Sequence, residues 1–329
     1  MKGKHHISVE SLHLKYEFEI RRNITIIQGD SATGKTTLID LLREYNLRGE
    51  LSPVRLESDV PCIVFDGTDE NWKLLIRATK GSIIFIDEGY SFIFSEEFAD
   101  VIAATNNYYV LITRRPLICL PYSVKEIYGI RTTGKYHFPE QVYHEFYQLY
   151  EEEEITGGEN VLFITEDSGS GYQFFKQCCS GRLECISADG NGNIYQTLKA
   201  LPSDGKIVVI ADGAAFGAYI AKVMTYAESR RNILLYLPES FEWMILKSGV
   251  IKTKDIRAIL NHPEEYIESS QYFSWERFFT AYLEQVTNGD RIRHYQKNKL
   301  GSFYVDGRNK DMIVDVFPEA IKEIINNVT

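Results

Sequence analysis

The chain carries one complete motif for holding phosphate groups, Gly29-Asp30-Ser31-Ala32-Thr33-Gly34-Lys35-Thr36, which fits the pattern G-x-x-x-x-G-K-T. In this pattern the glycines let the backbone curl so that its N–H groups point at phosphate oxygens. The lysine reaches the β- and γ-phosphates, and the threonine hydroxyl holds Mg²⁺. We therefore predict that this loop, together with Thr37, binds a nucleoside triphosphate such as ATP with Mg²⁺. The alternative is a glycine-rich turn without a ligand.

The elements on either side of the motif are those that the chemistry requires. Residues 23–28 are predicted to form a short buried strand, and apolar residues such as Leu38 and Leu42 recur at helical spacing after the loop. The N-terminus of such a helix adds partial positive charge beside bound phosphates. This order of strand, loop and helix favours a phosphate site over a turn without a ligand.

A second motif consists of two carboxylates, Asp87 and Glu88, which follow the continuous apolar run of residues 82–86. Such a run is typical of a central strand in a parallel sheet. We expect Asp87 to lie beside the loop and hold Mg²⁺, and Glu88 to orient or deprotonate the attacking water. Lys35 and Glu88 are thus the predicted catalytic residues of this site. The alternative is a solvated acidic turn.

The next predicted strand, residues 107–113, ends before Arg114. The end of a strand beside the Asp87 strand lies close to the γ-phosphate in a sheet of this kind, so Thr113 or Arg114 could sense that phosphate or stabilise its charge. A plain loop arginine is the alternative.

Composition narrows the class of protein. The chain has 329 residues, of which 44% are hydrophobic and 25% charged, so two domains of ordinary globular composition are expected. No apolar run approaches the roughly 20 residues of a membrane span, and no apolar stretch follows the first six residues as in a secretory signal. The five cysteines show no zinc-type spacing. We expect a cytoplasmic protein without a membrane partner.

The net charge of −10 argues against a broadly basic surface for binding nucleic acid. It does not exclude a local groove. Residues 291–299 form the densest basic stretch of the chain, and they indicate either such a groove or a solvated helix face.

The order of predicted elements describes two α/β domains. The first 20 residues alternate apolar and polar, which predicts antiparallel strands; strands and helices then alternate as far as residue 113, which predicts a mostly parallel sheet. Ser95 is a predicted helix N-cap. Residues 141–150 are predicted to be a helix, and the glutamate run with Gly157-Gly158 after it predicts a linker over residues 151–158. The first domain is therefore residues 1–150.

A second alternation of strands and helices predicts a smaller α/β domain over residues 159–248, followed by a mainly helical extension over 249–329 with one strand-like stretch at 301–305. The strands of the smaller domain are predicted at residues 160–165, 183–187, 206–211 and 232–237, and its helices at residues 171–179, 194–200 and 216–229.

The first half resembles a P-loop NTPase. Lys35 and Asp87 are 52 positions apart (87 − 35), which is short. ABC-type ATPases insert a helical subdomain and a Ser-Gly-Gly signature between these motifs, and the sequence lacks that signature. The resemblance therefore implies a minimal NTP-binding domain and does not imply head-to-head dimerisation of the ABC type.

The second half is similar to a Toprim domain, the metal-dependent module of topoisomerases, primases and the overcoming-lysogenization-defect nucleases. Glu166 matches the glutamate after the first strand, Asp212 matches the first residue of the Asp-x-Asp pair, and Ala214 replaces the second. The segment 237–242 is similar to the Pro-then-Glu stretch of the nuclease members. The resemblance implies that Glu166 and Asp212 are catalytic and hold Mg²⁺, with Glu242 as a further ligand.

The residues by themselves support a related expectation. Carboxylates at the carboxyl ends of neighbouring parallel strands converge, so Glu166 and Asp212, with Glu239, Glu242 or Asp189 assisting, could hold Mg²⁺ through oxygen ligands. The alternative is that Glu166 and Asp212 cap the helices that follow their strands.

Three functions remain open. The first is an NTP-controlled nuclease that cuts DNA or RNA in phage defence or mobile-element biology, as the pairing of an ATPase with a Toprim-like domain implies. The second is a non-catalytic ATP-dependent switch that contacts nucleic acid, a protein partner or a second copy of the chain. The third is a small-molecule kinase, which ranks last because the arginines expected of its substrate lid do not cluster (Arg43, Arg48, Arg55 and Arg77).

Overall fold

The computed structural model describes residues 1–29, 33–137, 141–150, 161–179, 183–202, 205–230 and 232–326. The chain divides into two compact units, the first formed by Met1–Glu151 with His262–Ser274 and the second by Glu152–Asn261 with Trp275–Thr329. Residues 262–274 therefore group with the first unit, whereas the sequence analysis placed them in the C-terminal extension. The predicted linker 151–158 lies outside the described residues.

Within the described residues, the first unit is built on one sheet of nine strands. In chain order the strands are β1 (His5–Glu10), β2 (Leu14–Ile20), β3 (Ile24–Ile27), β4 (Arg55–Ser58), β5 (Cys62–Val64), β6 (Ile83–Ile86), β7 (Tyr108–Ile112), β8 (Ile127–His137) and β9 (Gln141–Gln148). Across the sheet their order is β4-β1-β2-β9-β8-β3-β7-β6-β5.

The sheet is mixed rather than mostly parallel. Strands β8, β3, β7, β6 and β5 are parallel neighbours, as the alternation of strands and helices predicts. Strand β1 is antiparallel to β2 and β4, and β8 is antiparallel to β9. All residues of β3, β6 and β7 are buried, which is typical of strands covered on both faces, whereas β2 alternates buried and exposed residues.

The helices of the first unit are α1 (Lys35–Arg48), α2 (Trp72–Ala78) and α3 (Glu96–Ala103). Helix α1 begins directly after the Gly29–Gly34 loop and buries Leu38 and Leu42 in the core. Helix α3 begins as predicted, because the Ser95 hydroxyl accepts a hydrogen bond from the Phe98 backbone N–H and so caps the first turn.

The prediction of a helix over residues 141–150 is wrong, because this segment forms strand β9. It pairs antiparallel with β8 and parallel with β2, and the ring of Phe146 stacks on Phe18 with 4.0 Å between centroids. Aromatic and β-branched residues dominate the segment, and such residues favour strands when a neighbouring strand is present to pack against. That neighbour, β8, was not predicted.

The second unit contains a parallel sheet of four strands within the described residues. These are β10 (Val161–Thr165), β11 (Glu184–Ser187), β12 (Lys206–Ile210) and β13 (Ile233–Tyr236), in the order β11-β10-β12-β13. Since β10 and β12 are adjacent and parallel, the residues that follow them lie at the same edge of the sheet. This arrangement places Glu166 and Asp212 side by side.

Helices surround this sheet and continue beyond it. They are α4 (Ser170–Cys178), α5 (Ile194–Ala200), α6 (Gly217–Arg230), α7 (Phe241–Ser248), α8 (Ile256–Asn261), α9 (Trp275–Thr287), α10 (Ser302–Val305), α11 (Gly307–Val314) and α12 (Glu319–Asn326). The strand-like prediction at residues 301–305 is wrong, since residues 302–305 form α10. A strand there would need a pairing partner for its backbone groups, whereas a helical turn satisfies them locally, as in the bond from Tyr304 N–H to Gly301 O.

Candidate functional site

The loop between β3 and α1 has the backbone conformation that its glycines allow. Gly29 and Gly34 have φ values of 126° and 95°, a region that other residues rarely adopt. A Cβ at Gly34 would lie only 2.8 Å from the Tyr16 hydroxyl oxygen, so a side chain would also collide there. Asp30, Ser31 and Ala32 lie outside the described residues.

Lys35 is buried at the first position of α1 and folds its ammonium group over the loop. Its Nζ donates hydrogen bonds to the Gly29 carbonyl at 2.8 Å and to the Thr33 hydroxyl at 3.0 Å. These bonds hold the positive charge against the loop backbone, at the N-terminal end of a 14-residue helix whose partial charge has the same sign. The combination suits an anion.

A cleft of about 510 Å³ opens above this loop. That volume falls in the range usual for small-molecule sites, about 300–1,000 Å³. Of the residues predicted to bind the nucleotide or its metal, those that line the cleft are Thr33, Gly34, Lys35, Thr36, Thr37, Asp87, Glu88 and Arg114. The structure thus brings these eight residues together, whereas Gly29, the other described member of the predicted site, does not line the cleft.

The acidic side of the cleft lies at the carboxyl ends of β6 and β7. Asp87 and Glu88 follow β6, and the Glu88 backbone N–H donates to the Asp87 carboxylate at 2.8 Å. The Glu88 carboxylate lies 3.5 Å from the Arg114 guanidinium, and both side chains are about half exposed. Such an exposed ion pair contributes little stability, so both groups remain available to a ligand. Thr113 instead donates its hydroxyl to the Arg115 carbonyl at 3.0 Å.

Two aromatic residues that also line the cleft, Tyr16 and His144, were not predicted as part of the site. The rings of Tyr16 and His144 stack with 4.5 Å between centroids, and the Tyr16 hydroxyl donates to the Gly34 carbonyl at 3.1 Å. Burial raises the pKa of Tyr16 to about 12 and lowers the pKa of His144, so both rings are uncharged at neutral pH. The alternation of apolar and polar residues over 7–20 predicted a strand through Tyr16 but no role in the site. His144 lies in the segment that was predicted to be a helix, and no sequence signal indicated a role for it.

In the second unit the structure brings Glu166 and Asp212 into direct contact. The Asp212 backbone N–H donates to the Glu166 carboxylate at 2.9 Å. Both residues line a small cavity of about 30 Å³, which Glu242 also lines. Glu242 is positioned by the first turn of α7, where the Ser240 hydroxyl accepts a bond from the Trp243 N–H. Glu239 and Asp189, which were expected to assist, are not among the described residues that line this cavity.

Ala214, at the position where a Toprim domain has its second aspartate, is buried. Its backbone N–H donates to the Glu239 carbonyl at 3.3 Å, and the preceding Gly213 N–H donates to the Pro238 carbonyl at 2.6 Å. A Cβ at Gly213 would lie 2.3 Å from the Leu237 carbonyl oxygen, so this turn requires glycine. The turn presents one carboxylate to the cavity, from Asp212.

Burial dominates the electrostatics of this cavity. It raises the pKa of Glu166 to about 7, and it raises the pKa of Asp212, on which the neighbouring Glu166 charge acts in the same direction. Burial also raises the pKa of Glu242, whose side chain is only 2% exposed. Three carboxyl groups in so small a space therefore hold protons at neutral pH or need a cation.

Two further charged residues, Lys297 and Glu276, complete the cluster and were not predicted as part of the site. Lys297 lines the cavity and forms an ion pair with Glu276. Burial alone would lower the pKa of Lys297, but the charges of Glu276 and Asp212 raise it above its ordinary value. Lys297 belongs to the basic stretch 291–299, which was predicted to be either a groove for nucleic acid or a solvated helix face.

The cavity offers oxygen ligands, and one of them has no partner. Glu242 Oε1 accepts a bond from the Tyr295 hydroxyl at 2.7 Å, whereas Glu242 Oε2 is buried without a hydrogen-bond partner among the described residues. The donor chemistry thus suits a hard cation. In the described part of the chain, however, no three side chains of the usual ligand types are arranged so that they could hold a metal ion. As arranged, the cavity does not fit Mg²⁺.

Comparison of the chain with family models, with curated proteins and with solved structures gave no match. None of the described helices combines the length and the apolar character needed to cross a membrane.

Proposed function

We propose that the first unit binds and hydrolyses a nucleoside triphosphate, with ATP and Mg²⁺ as the expected ligands. The observation that carries this proposal is the single cleft lined by Lys35, Thr36, Asp87, Glu88 and Arg114. An anion-binding loop, a helix N-terminus and two carboxylates on one cleft are the groups that phosphoryl transfer needs. The geometry of the two loop glycines supports the same ligand.

The residues divide the work by their chemistry. Lys35 and the loop N–H groups would bind the phosphate oxygens, while the Thr36 hydroxyl and Asp87 would hold Mg²⁺. Bound Mg²⁺ neutralises charge on the phosphates. Glu88 would orient the attacking water, and Arg114 is close enough to Glu88 to approach the transferred phosphate.

Calorimetry with Mg-ATP on the Lys35→Ala variant tests the proposal. A hydrogen bond to a charged group contributes about 1.5–3 kcal/mol, so nucleotide affinity should fall by roughly 10- to 100-fold. Lys80→Ala, which removes an exposed lysine of the same unit, should bind as the wild type does. Equal affinity in the wild type and Lys35→Ala would reject nucleotide binding at this loop.

A second function, metal-dependent cleavage of nucleic acid by the second unit, is favoured by the unpartnered Glu242 Oε2 in a cavity shared with Glu166 and Asp212. The switch alternative is favoured by the burial of Glu242, beside which Glu166 and Asp212 are only half-buried, and by the absence of a second aspartate at Ala214. Both functions remain compatible with nucleotide binding in the first unit, and DNA, RNA, a protein partner or a second copy are the candidate partners.

Incubation with plasmid DNA and with RNA, with and without ATP and with Mg²⁺ or Mn²⁺, separates these two functions. The nuclease proposal expects metal-dependent cleavage that Glu166→Ala abolishes while ATP hydrolysis continues. Glu184→Ala, which changes an exposed glutamate on β11, is the matched control. Absence of cleavage by the wild type under all conditions favours the switch.

A further inference from the structure

A segment of the second unit, residues 288–301, is fastened beside the carboxylate cavity; we name it the strap. The backbone N–H of Ser170 donates to the Lys297 carbonyl at 2.8 Å, and the Gln173 side chain bonds both to the Asn298 carbonyl at 3.1 Å and to the Leu300 N–H at 2.9 Å. These three bonds tie the strap to the first turn of α4, next to Glu166. The strap therefore has a defined position at the cavity.

The side chain of Tyr295 attaches the strap to two residues that line the cavity, Glu242 and Ser170. Its hydroxyl donates to Glu242 Oε1 at 2.7 Å and is hydrogen-bonded to the Ser170 hydroxyl, and its backbone N–H donates to the Thr287 hydroxyl at 3.0 Å. Tyr295 is fully buried. One oxygen of Glu242 thus accepts a hydrogen bond from the strap, while the other is buried without a hydrogen-bond partner among the described residues. Lys297 lines the same cavity as Glu242.

Lys297, two residues after this anchor, places a positive charge among the carboxyl groups. The charges of Glu276, Asp212 and Glu242 act on the pKa of Lys297, and the Lys297 charge in turn acts on those of Glu166, Asp212 and Glu242. The carboxylates raise the pKa of Lys297 and Lys297 lowers the pKa values of the carboxyl groups, so each partner favours the charged form of the other. Carboxylates that lie this close together in a partly buried cavity need a counter-charge, and Lys297, which lines the same cavity, supplies it.

We infer that Lys297 is the resident cation of this cavity and that a divalent ion can enter only by displacing its ammonium group. A cavity of about 30 Å³ has room for only about two water-sized occupants beside the lysine. Two cations held so close together in a partly buried site would repel each other. The inference rests on the second proposed function only in treating the same cavity as a cation site.

Binding of Mn²⁺ to the full-length Lys297→Met variant tests the inference, with free Mn²⁺ measured by electron paramagnetic resonance in the absence of nucleotide. Methionine keeps the length of the side chain and removes the charge. We expect the variant to bind one Mn²⁺ at least tenfold more tightly than the wild type, and Glu166→Gln in the same background to remove the gain. Lys299→Met, which removes an exposed charge from the same strap, should bind as the wild type does.

Equal Mn²⁺ affinity in the wild type and Lys297→Met overturns the inference. Absence of Mn²⁺ binding in both proteins overturns it as well, and in that case the nucleotide function of the first unit is unaffected. If only the nuclease proposal fails, no cleavage is observed but Lys297→Met still binds Mn²⁺ more tightly than the wild type does.

A measurement on the wild type covers the case in which Lys297→Met does not fold. Reductive methylation followed by mass spectrometry reports how accessible each lysine is, with exposed Lys299 as the internal reference. Without Mn²⁺, Lys297 should react more slowly than Lys299; with saturating Mn²⁺, its rate relative to Lys299 should rise at least fivefold. An unchanged ratio in protein that has bound Mn²⁺ overturns displacement.

Discussion

At the scale of single residues, burial separates the carboxylates of the two units into two chemical classes. Glu88 is about half exposed at the mouth of the larger cleft, next to a guanidinium group, and can exchange partners with a ligand. Glu242 is buried and Glu166 and Asp212 are half-buried beside it, and loss of contact with water raises the pKa of each. The same type of side chain can therefore orient water in one unit and demand a counter-charge in the other.

The Glu88→Gln variant tests the catalytic assignment. The amide keeps the shape of the side chain but loses the charge that orients or deprotonates water, so ATP hydrolysis should fall by roughly 10²-fold while nucleotide affinity is retained. Steady-state phosphate release and calorimetry measure the two quantities. Glu70→Gln, which alters an exposed turn residue, provides the control. Hydrolysis by Glu88→Gln at the wild-type rate would exclude Glu88 as the catalytic carboxylate.

At the scale of elements, local sequence signals were sufficient to predict the strand and helix on either side of the Gly29–Gly34 loop, and insufficient to predict strands that depend on distant partners. The loop, its flanking strand and the cap at Ser95 are encoded within a few residues of each other, and the structure has β3, α1 and α3 where they were predicted. Strand β9 depends on β8 and on β2, which is more than 100 positions away, so its aromatic residues could not be assigned from the segment alone.

The same distinction explains the missed residues of the sites. His144 lies on β9, and Lys297 reaches the cavity because the strap is tied to α4 through bonds that span about 125 positions. Glu166 and Asp212, by contrast, could be paired from sequence since each directly follows an apolar strand of a repeated α/β pattern. Residues at strand ends are thus predictable, whereas residues delivered by long-range packing are not.

A substitution at the α3 cap tests whether local signals carry stability in the first unit. Ser95→Ala removes the acceptor for the Phe98 N–H, which lies 3.1 Å from the serine oxygen, and should lower the free energy of unfolding by about 1 kcal/mol. Ser95→Asp restores an acceptor at the same position and should recover most of the loss. Urea denaturation of the three proteins gives the comparison. Equal losses in Ser95→Ala and Ser95→Asp would show that the cap bond is not the source of the effect.

At the scale of the whole molecule, each unit has its own charged centre and its own response to solution conditions. The first unit places charged groups around the cleft above the Gly29–Gly34 loop, and the second places three carboxylates around a smaller cavity that Lys297, whose side chain is 36% exposed, also lines. The assignment of residues 262–274 to the first unit was beyond sequence analysis, because that segment has no strand or helix pattern linking it to residues 1–150. Residues 262–274 contact residues 1–150 through individual hydrogen bonds, such as the bond from Gly3 N–H to Glu264 O at 2.7 Å.

The carboxylate cavity of the second unit predicts how the free energy of unfolding depends on pH. The pKa of Glu166 is about 7 in the folded protein and 4.5 ordinarily, so the folded state binds this proton more tightly than the unfolded state does. The stabilisation is complete below pH 4.5 and is lost as the pH rises through 7. The charges of Glu276 and Asp167 oppose the ionisation of Glu166, whereas the hydrogen bond from the Asp212 backbone N–H and the charge of Lys297 favour it.

Glu166→Gln, whose amide stands in for the protonated carboxyl, should therefore be much less sensitive to pH. Between pH 5 and pH 8 the wild type should lose on the order of 3 kcal/mol of unfolding free energy relative to this variant, because each unit of pKa corresponds to about 1.4 kcal/mol. Urea denaturation followed by tryptophan fluorescence detects the change, since Trp243 and Trp275 both lie in the second unit. Glu184→Gln, an exposed substitution in the same sheet, should follow the wild type at every pH. Parallel curves for the wild type and Glu166→Gln would mean that Lys297 keeps Glu166 ionised throughout this range, and that the cavity is neutralised by the lysine alone.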